Sequence, residues 1–144
     1  MGSDDIPRFS CGCHKINLAV RKAIRAHKPL LDILTTLNRS NAHFRKSCTF
    51  SSVFREKKCR LRLENLTRWS SSYLILESVK RAYDKNAFIE SNPDKRCPVA
   101  IEKIELYLQI LKPVYLLSIA LQNNNSSISD TIPGIFLRSF LLPI

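Results

Sequence analysis

The chain has 144 residues, 44% of them hydrophobic, which suffices for one domain with a core and excludes a chain disordered throughout. Its formal net charge is +11 and its cysteines number five. An odd count behind an acidic start with no basic or apolar leader predicts no secretory signal and reduced thiols rather than a disulfide framework. No uninterrupted apolar run reaches the roughly 18 residues of a membrane span, so no membrane is expected as a partner.

Glycine occurs only three times, which disfavours a protein rich in hairpin turns, and helical periodicity dominates the chain. A first helix is predicted over 13–27, with Ile16, Val20, Ala23, Ile24 and His27 on one stripe. Pro29 disfavours helical geometry at Lys28 and suits the first turn of a second helix. In that helix Leu30, Leu34, Leu37, Asn41, Phe44 and Cys48 alternate steps of four and three, the spacing of a seam packed on another helix. An interruption is expected over 47–52 and a further helix over 53–63. The next helix is predicted over 67–90, with Thr67 as its N-cap. Trp69, Tyr73, Leu76 and Tyr83 lie along its face, with Ile75 and Val79 beside them. A polar, proline-bounded loop spans 91–98. The last helix, over 99–122, carries the stripe Ile101, Ile104, Leu108, Leu111 and Tyr115, and Pro113 is expected to kink it. After a loop at 123–127, the apolar end of the chain over 136–144 reads as a cut inside a larger fold.

The charge is unevenly placed. Residues 8–62 hold fourteen lysines and arginines against only Asp32 and Glu56, so this stretch carries +12 and the remainder −1. A basic half of this density attracts polyanions, nucleic acid above all; the plainer reading is a solvated helix surface. Arg45, Lys46, Lys57 and Lys58 are its candidate DNA contacts.

Cys11, Cys13 and His14 supply three potential metal ligands. A structural zinc site usually takes four, no second C-x-x-C or H-x-x-x-H pair follows, and adjacent Cys13 and His14 are poorly placed to share one ion, so no metal is assigned. No glycine-rich phosphate loop, Ser-His-Asp order or paired-carboxylate motif occurs.

Cys11, His14, Asn17 and Leu18 follow the pattern C-x-x-H-x-x-N-L. Downstream, Thr67, Arg68, Trp69, Ser71, Tyr73, Leu76 and Glu77 follow T-R-W-N-S-x-Y-x-M-L-E, with Ser70 in place of Asn and Ile75 in place of Met. Between them Phe44 and Ser47 form F-x-x-S. In order and spacing these segments resemble hAT-family DNA transposases, over about residues 6 to 120. The resemblance implies a mainly α chain: an open helical bundle that is a fragment of an RNase H-like transposase fold with its all-helical insertion. Residues 1–28 are then a remnant of the RNase H-like core and 29–144 a truncated insertion domain.

The family cuts DNA with three carboxylates that hold divalent metal such as magnesium, two ions clamping the attacking and leaving oxygens. Asp4 and Asp5 stand too near Cys11 to match, so no catalytic carboxylate is carried over. The expectation is a catalytically incomplete nuclear fragment that binds DNA, transposon ends as hairpin or duplex, and holds no cofactor. Its other partners are the remaining parts of a transposase or a second copy of the chain. A domesticated protein-interaction module without DNA chemistry is the alternative. The resemblance places His14, with Cys11, beside an active site, where an imidazole can donate to phosphate; the plainer reading is a structural histidine at a helix start. It also implies that Trp69 stacks on a flipped base while Arg68 meets phosphate. Against this stand Trp69 as a core anchor and Arg68 as a solvated charge.

Overall fold

The computed structural model describes residues 12–65, 67–91 and 97–122, and among these the chain forms six helices and no strand. They are α1 (Gly12–Ala26), α2 (Lys28–Lys46), α3 (Cys48–Glu56), α4 (Ser70–Asp84), α5 (Ala87–Ser91) and α6 (Ile101–Gln122). The mainly α expectation therefore holds. Cys11, the polar residues 92–96 and the apolar end at 136–144 lie outside the described residues.

The helix α4 is the centre of the assembly, packing against α2, α5 and α6, while α1 lies on α2 and α6. Its line Ile75, Val79 and Ala82 is fully buried, together with Leu76. The α2 seam is buried as expected at Leu30, Leu34, Leu37, Asn41 and Phe44. It stops there: Ser47, extended at φ −79° and ψ 124°, ends α2 and begins α3. The break is thus one residue long rather than six, and it turns Cys48 out to an exposed position. Phe44 of α2, Phe54 of α3 and Phe88 of α5 close a triangle of ring contacts, with centroids 5.4–5.8 Å apart. Edge-on aromatic contacts of this kind add to the area they bury.

Three other expectations are corrected. The helix predicted over 53–63 ends at Glu56. Cys59 N–H donates to Phe54 C=O (2.9 Å) and Lys58 N–H to Arg55 C=O (3.0 Å), with Lys58 at φ 52°. This is a Schellman stop, with Lys58 at the position that glycine usually takes. Residues 59–62 then alternate, Cys59 and Leu61 buried and Arg60 and Arg62 exposed. Among the described residues no strand pairs with this stretch. Asn41 Nδ2 donates to Arg62 C=O (2.9 Å), Arg62 N–H to Ser78 Oγ (3.0 Å) and Glu64 N–H to Asn38 Oδ1 (2.9 Å). Side chains of α2 and α4 supply what a neighbouring strand would.

The helix predicted over 67–90 is two helices, parted at Lys85 and Asn86, with Asn86 at φ 54°. Asparagine tolerates this left-handed conformation and commonly ends helices in it. Tyr83 is 43% exposed, off the buried face. Lys80 occupies the intervening place on that stripe, where it pairs with Asp84 and with Glu105 of α6. The buried line follows Ile75, Val79 and Ala82 instead.

In α1 the expected stripe is only partly covered: Ile24 is buried, Ile16 and Val20 are half-buried, and Ala23 and His27 are exposed. His27 makes the corner between α1 and α2, and its Nε2 pairs with the Tyr107 hydroxyl of α6 at 3.0 Å. The helix α6 runs through Pro113. Its Ile104, Leu111 and Ser118, seven residues apart, are buried, whereas Leu106, Ile110, Leu116 and Ile119 are exposed. Lys112 breaks the apolar run, and by length and composition alone the helix is apolar enough to cross a membrane. A core helix passes the same test, and one face of α6 is packed on α4 and α1.

Candidate functional site: two polar clefts

The two motif segments, fifty residues apart, meet at the start of α4. Asn17 of α1 donates from Nδ2 to Thr67 C=O (3.2 Å) and accepts Trp69 N–H on Oδ1 (2.9 Å). Trp69 is the N-cap of α4 and has no side-chain cap bond of its own. The first N–H groups of a helix have no partner within it. Asn17 therefore supports the helix entry from another helix, a role the sequence reading had given to Thr67. Thr67 instead turns back on Asn65, its N–H (3.0 Å) and hydroxyl (2.6 Å) both donating to Asn65 Oδ1. Ser71 Oγ donates to Asn65 C=O (2.9 Å) and Arg68 C=O (2.8 Å), closing the turn.

This junction floors a cleft of about 550 Å³, with His14, Arg68, Ser70, Ser118 and Gln122 around Asn17. His14 and Arg68 are exposed, so a cation and an imidazole face the same space. Ser118 is buried, and its hydroxyl has no hydrogen-bond partner among the described residues. A buried polar group of this kind calls for an explanation, and a ligand atom or water reaching the cleft floor would give one. Trp69 is 4% exposed, edge-on to Tyr115 at 6.3 Å, and Tyr115 stacks on Tyr73 at 4.2 Å. Of its two readings, core anchor is the one this packing favours. Burial pushes the Tyr73 hydroxyl pKa up, with Glu77 and Tyr115 adding to the effect.

The basic candidates separate. Arg45 and Lys58 line a second cleft, of about 650 Å³, where Arg55, Arg60, Arg62 and Arg81 join them. It draws on α2, α3, the extended stretch and α4, over a floor of Phe44, Phe54 and Leu61. Among the described residues only Arg81 of these cations has an acidic partner, Glu77 at 3.6 Å. Lys46 is exposed in the last turn of α2, where a cation suits the helix dipole, and lines neither cleft. Lys57 is engaged: its ammonium meets Glu90 and donates to Lys85 C=O (2.9 Å), while Lys85 Nζ donates to Lys57 C=O (2.7 Å). It ties the end of α3 to the corner between α4 and α5. Beneath the second cleft, burial pushes the Cys59 thiol pKa up, opposed by Lys85, Lys57 and Arg81.

The sequence reading missed Ser118 and Gln122 in the first cleft, and Arg55, Arg60, Arg62 and Arg81 in the second. The alternation of Cys59, Arg60, Leu61, Arg62 and Leu63 was the signal for the extended stretch. Among the described residues no three His, Cys, Asp or Glu side chains gather as metal ligands would. Comparison of the chain with known protein families, with characterised proteins and with solved structures finds no match.

Proposed function

We infer that this chain is a DNA-binding portion of a hAT-like transposase that leaves strand cutting to other parts of such an enzyme. One observation carries the reading: Asn17, from the C-x-x-H-x-x-N-L segment, bonds the backbone of Thr67 and Trp69, from the T-R-W segment. Two stretches that a resemblance links by order alone are thus linked by hydrogen bonds, around a cleft that holds His14 and Arg68. On this reading α1 belongs to an RNase H-like core and the later helices to its insertion. Arg68 and His14 meet phosphate at a transposon end in the nucleus, and the fragment keeps no metal or cofactor of its own.

The test is binding of labelled hairpin and duplex DNA over a series of salt concentrations. The logarithm of affinity should fall linearly with the logarithm of salt, by about 0.9 for each duplex phosphate neutralised. Arg68→Ala should weaken binding to the hairpin. No binding at low salt would overturn the reading. The alternative, a module that binds another protein, is favoured by the exposed Leu106, Ile110, Leu116 and Ile119 of α6. It gains if DNA binding is absent and the chain self-associates, salt-insensitively, in sedimentation.

A further inference from the structure

The arginine cleft has features that a merely solvated basic surface does not need. Four of its six cations lie in the basic run 55–62, and the fold brings Arg45 of α2 and Arg81 of α4 to the same hollow. Five of the six are arginines, whose planar guanidinium presents paired donors that match phosphate oxygens; a surface kept soluble by charge needs no such fork. Arg60 and Arg62 stand two residues apart on an extended stretch whose buried partners, Cys59 and Leu61, fix which way they face. Lys58 sits in the left-handed backbone region at φ 52°, where glycine would be easier, and its long cation lines the cleft. Local preference gives way at the place where charge converges.

The lining also excludes one mode of recognition. Phe44 and Phe54 are 5% and 4% exposed, so they floor the cleft and offer no open ring face to a base. Stacking, the usual source of base contact to single strands, is absent from its lining. The cleft is concave and about 650 Å³ in volume. A flexible single strand can bend its phosphates into such a hollow, whereas a stiff duplex presents its phosphates only to the rim.

We propose that the arginine cleft binds the phosphodiester backbone of a single nucleic-acid strand, independently of base, through Arg45, Arg55, Lys58, Arg60, Arg62 and Arg81. The proposal rests on the DNA-binding reading above and adds a strand-holding contact separate from the Asn17 junction. A strand freed at a DNA end is its natural occupant.

The experiment is fluorescence anisotropy of the full chain with a labelled oligothymidylate and with the same sequence on an uncharged methylphosphonate backbone. The oligothymidylate should bind and the uncharged analogue should not; equal binding of the two overturns the proposal. Arg60→Glu with Arg62→Glu should weaken oligothymidylate binding roughly a hundredfold, the worth of two charge-assisted hydrogen bonds, and flatten the salt slope by about 1.4. The tethers of the extended stretch use the backbone of Arg62, not its guanidinium, so the helical circular dichroism should be unchanged. If it is not, Arg60→Gln with Arg62→Gln takes the place of the reversal. The matched control is Lys22→Glu with Arg25→Glu, an equal change of charge on exposed residues of α1. An equal loss in both double variants makes binding diffuse: the cleft assignment falls while the DNA-binding reading stands. Loss of hairpin binding in Arg68→Ala with no response to the cleft variants has the same meaning. No binding of either DNA by the wild-type chain at low salt removes both.

Discussion

The two clefts are built in opposite ways. Around Asn17, few side chains are charged, and the polar groups are spent on backbone: Asn17 on Thr67 and Trp69, Asn65 on Thr67, and Ser71 on Asn65 and Arg68. The shape of that cleft is fixed before anything binds. Around Arg60 and Arg62 the backbone is also tied by side chains, but by Asn38, Asn41 and Ser78 from behind, and among the described residues only Arg81 of the cations in front has an acidic partner. The first cleft resembles a positioned hydrogen-bonding site and the second an electrostatic trough. The difference separates two demands. Aligning one group needs rigid, neutral donors and acceptors, whereas holding a charged polymer needs unpaired cations on a rigid backing.

Removing a support should therefore break each cleft differently. The largest effect is expected for Trp69→Ala. The indole is 4% exposed against Tyr115, so truncation leaves a cavity where α1, α4 and α6 meet. The expected cost is about 3–5 kcal/mol in urea unfolding, with helical signal lost at ordinary temperature. A variant that stays folded and loses only hairpin binding would instead restore base stacking as the role of this tryptophan. Asn41→Ala comes next. Asn41 is fully buried and its Nδ2 holds Arg62 C=O, but its Oδ1 has no partner among the described residues. Loss of the donor should cost about 1–3 kcal/mol. Hydrogen exchange should quicken at Arg62 and Glu64 more than at Trp69. Equal quickening at both places would mean that the two clefts share one support.

The helices were readable because their seams repeat: Leu30, Leu34, Leu37, Asn41 and Phe44 are buried in the register that their spacing predicts. Asn41, a polar residue in an apolar seam, was itself a sign that something other than a helix packs there. The extended stretch was not read, because five basic and five apolar residues over 53–63 also suit a helix, and its pairing partners are side chains rather than a strand. The motif cleft was half legible. The resemblance named His14, Arg68 and Trp69, but the joining role of Asn17 depends on a contact across fifty residues. The arginine cleft was legible only as net charge. Arg81 lies nineteen residues beyond Arg62, outside the stretch in which the charge was counted.

A smaller effect concerns pH. Burial raises the thiol pKa of Cys59 above its ordinary value of 9.0, and burial does the same for Cys97, where a hydrogen bond from the Val99 backbone opposes it. The folded chain therefore keeps these protons longer than the unfolded chain. Their stabilising contribution is complete below the ordinary thiol value and is lost as pH rises through the folded values. Thermal melts under reducing conditions should shift downward between about pH 8 and about pH 10. Substituting Cys59→Ala should reduce that shift, and an undiminished shift would assign it to Cys97. At neutral pH, exposed Cys48 should alkylate well before Cys59.

The smallest effect, and the one that best separates charge from fold, is expected at Lys58. Its φ of 52° places it in the left-handed region, which costs an L residue roughly 1–2 kcal/mol that glycine does not pay. Glycine also gives the unfolded chain more freedom, worth roughly 0.5–1 kcal/mol in the other direction. Lys58→Gly should thus leave stability unchanged or raise it by about 1 kcal/mol. The Schellman bonds from Cys59 to Phe54 and from Lys58 to Arg55 are made by the backbone and should survive. The same substitution removes one of the six cations of the arginine cleft. Oligothymidylate binding should fall severalfold as stability holds or rises, and hairpin binding through Arg68 should change less. Lys58→Ala keeps the backbone strain and loses the same charge, so it should weaken binding equally without the gain in stability. If Lys58→Gly stabilises the chain and leaves strand binding intact, Lys58 is an ordinary helix stop carrying an unused charge, and the cleft must work through its arginines alone.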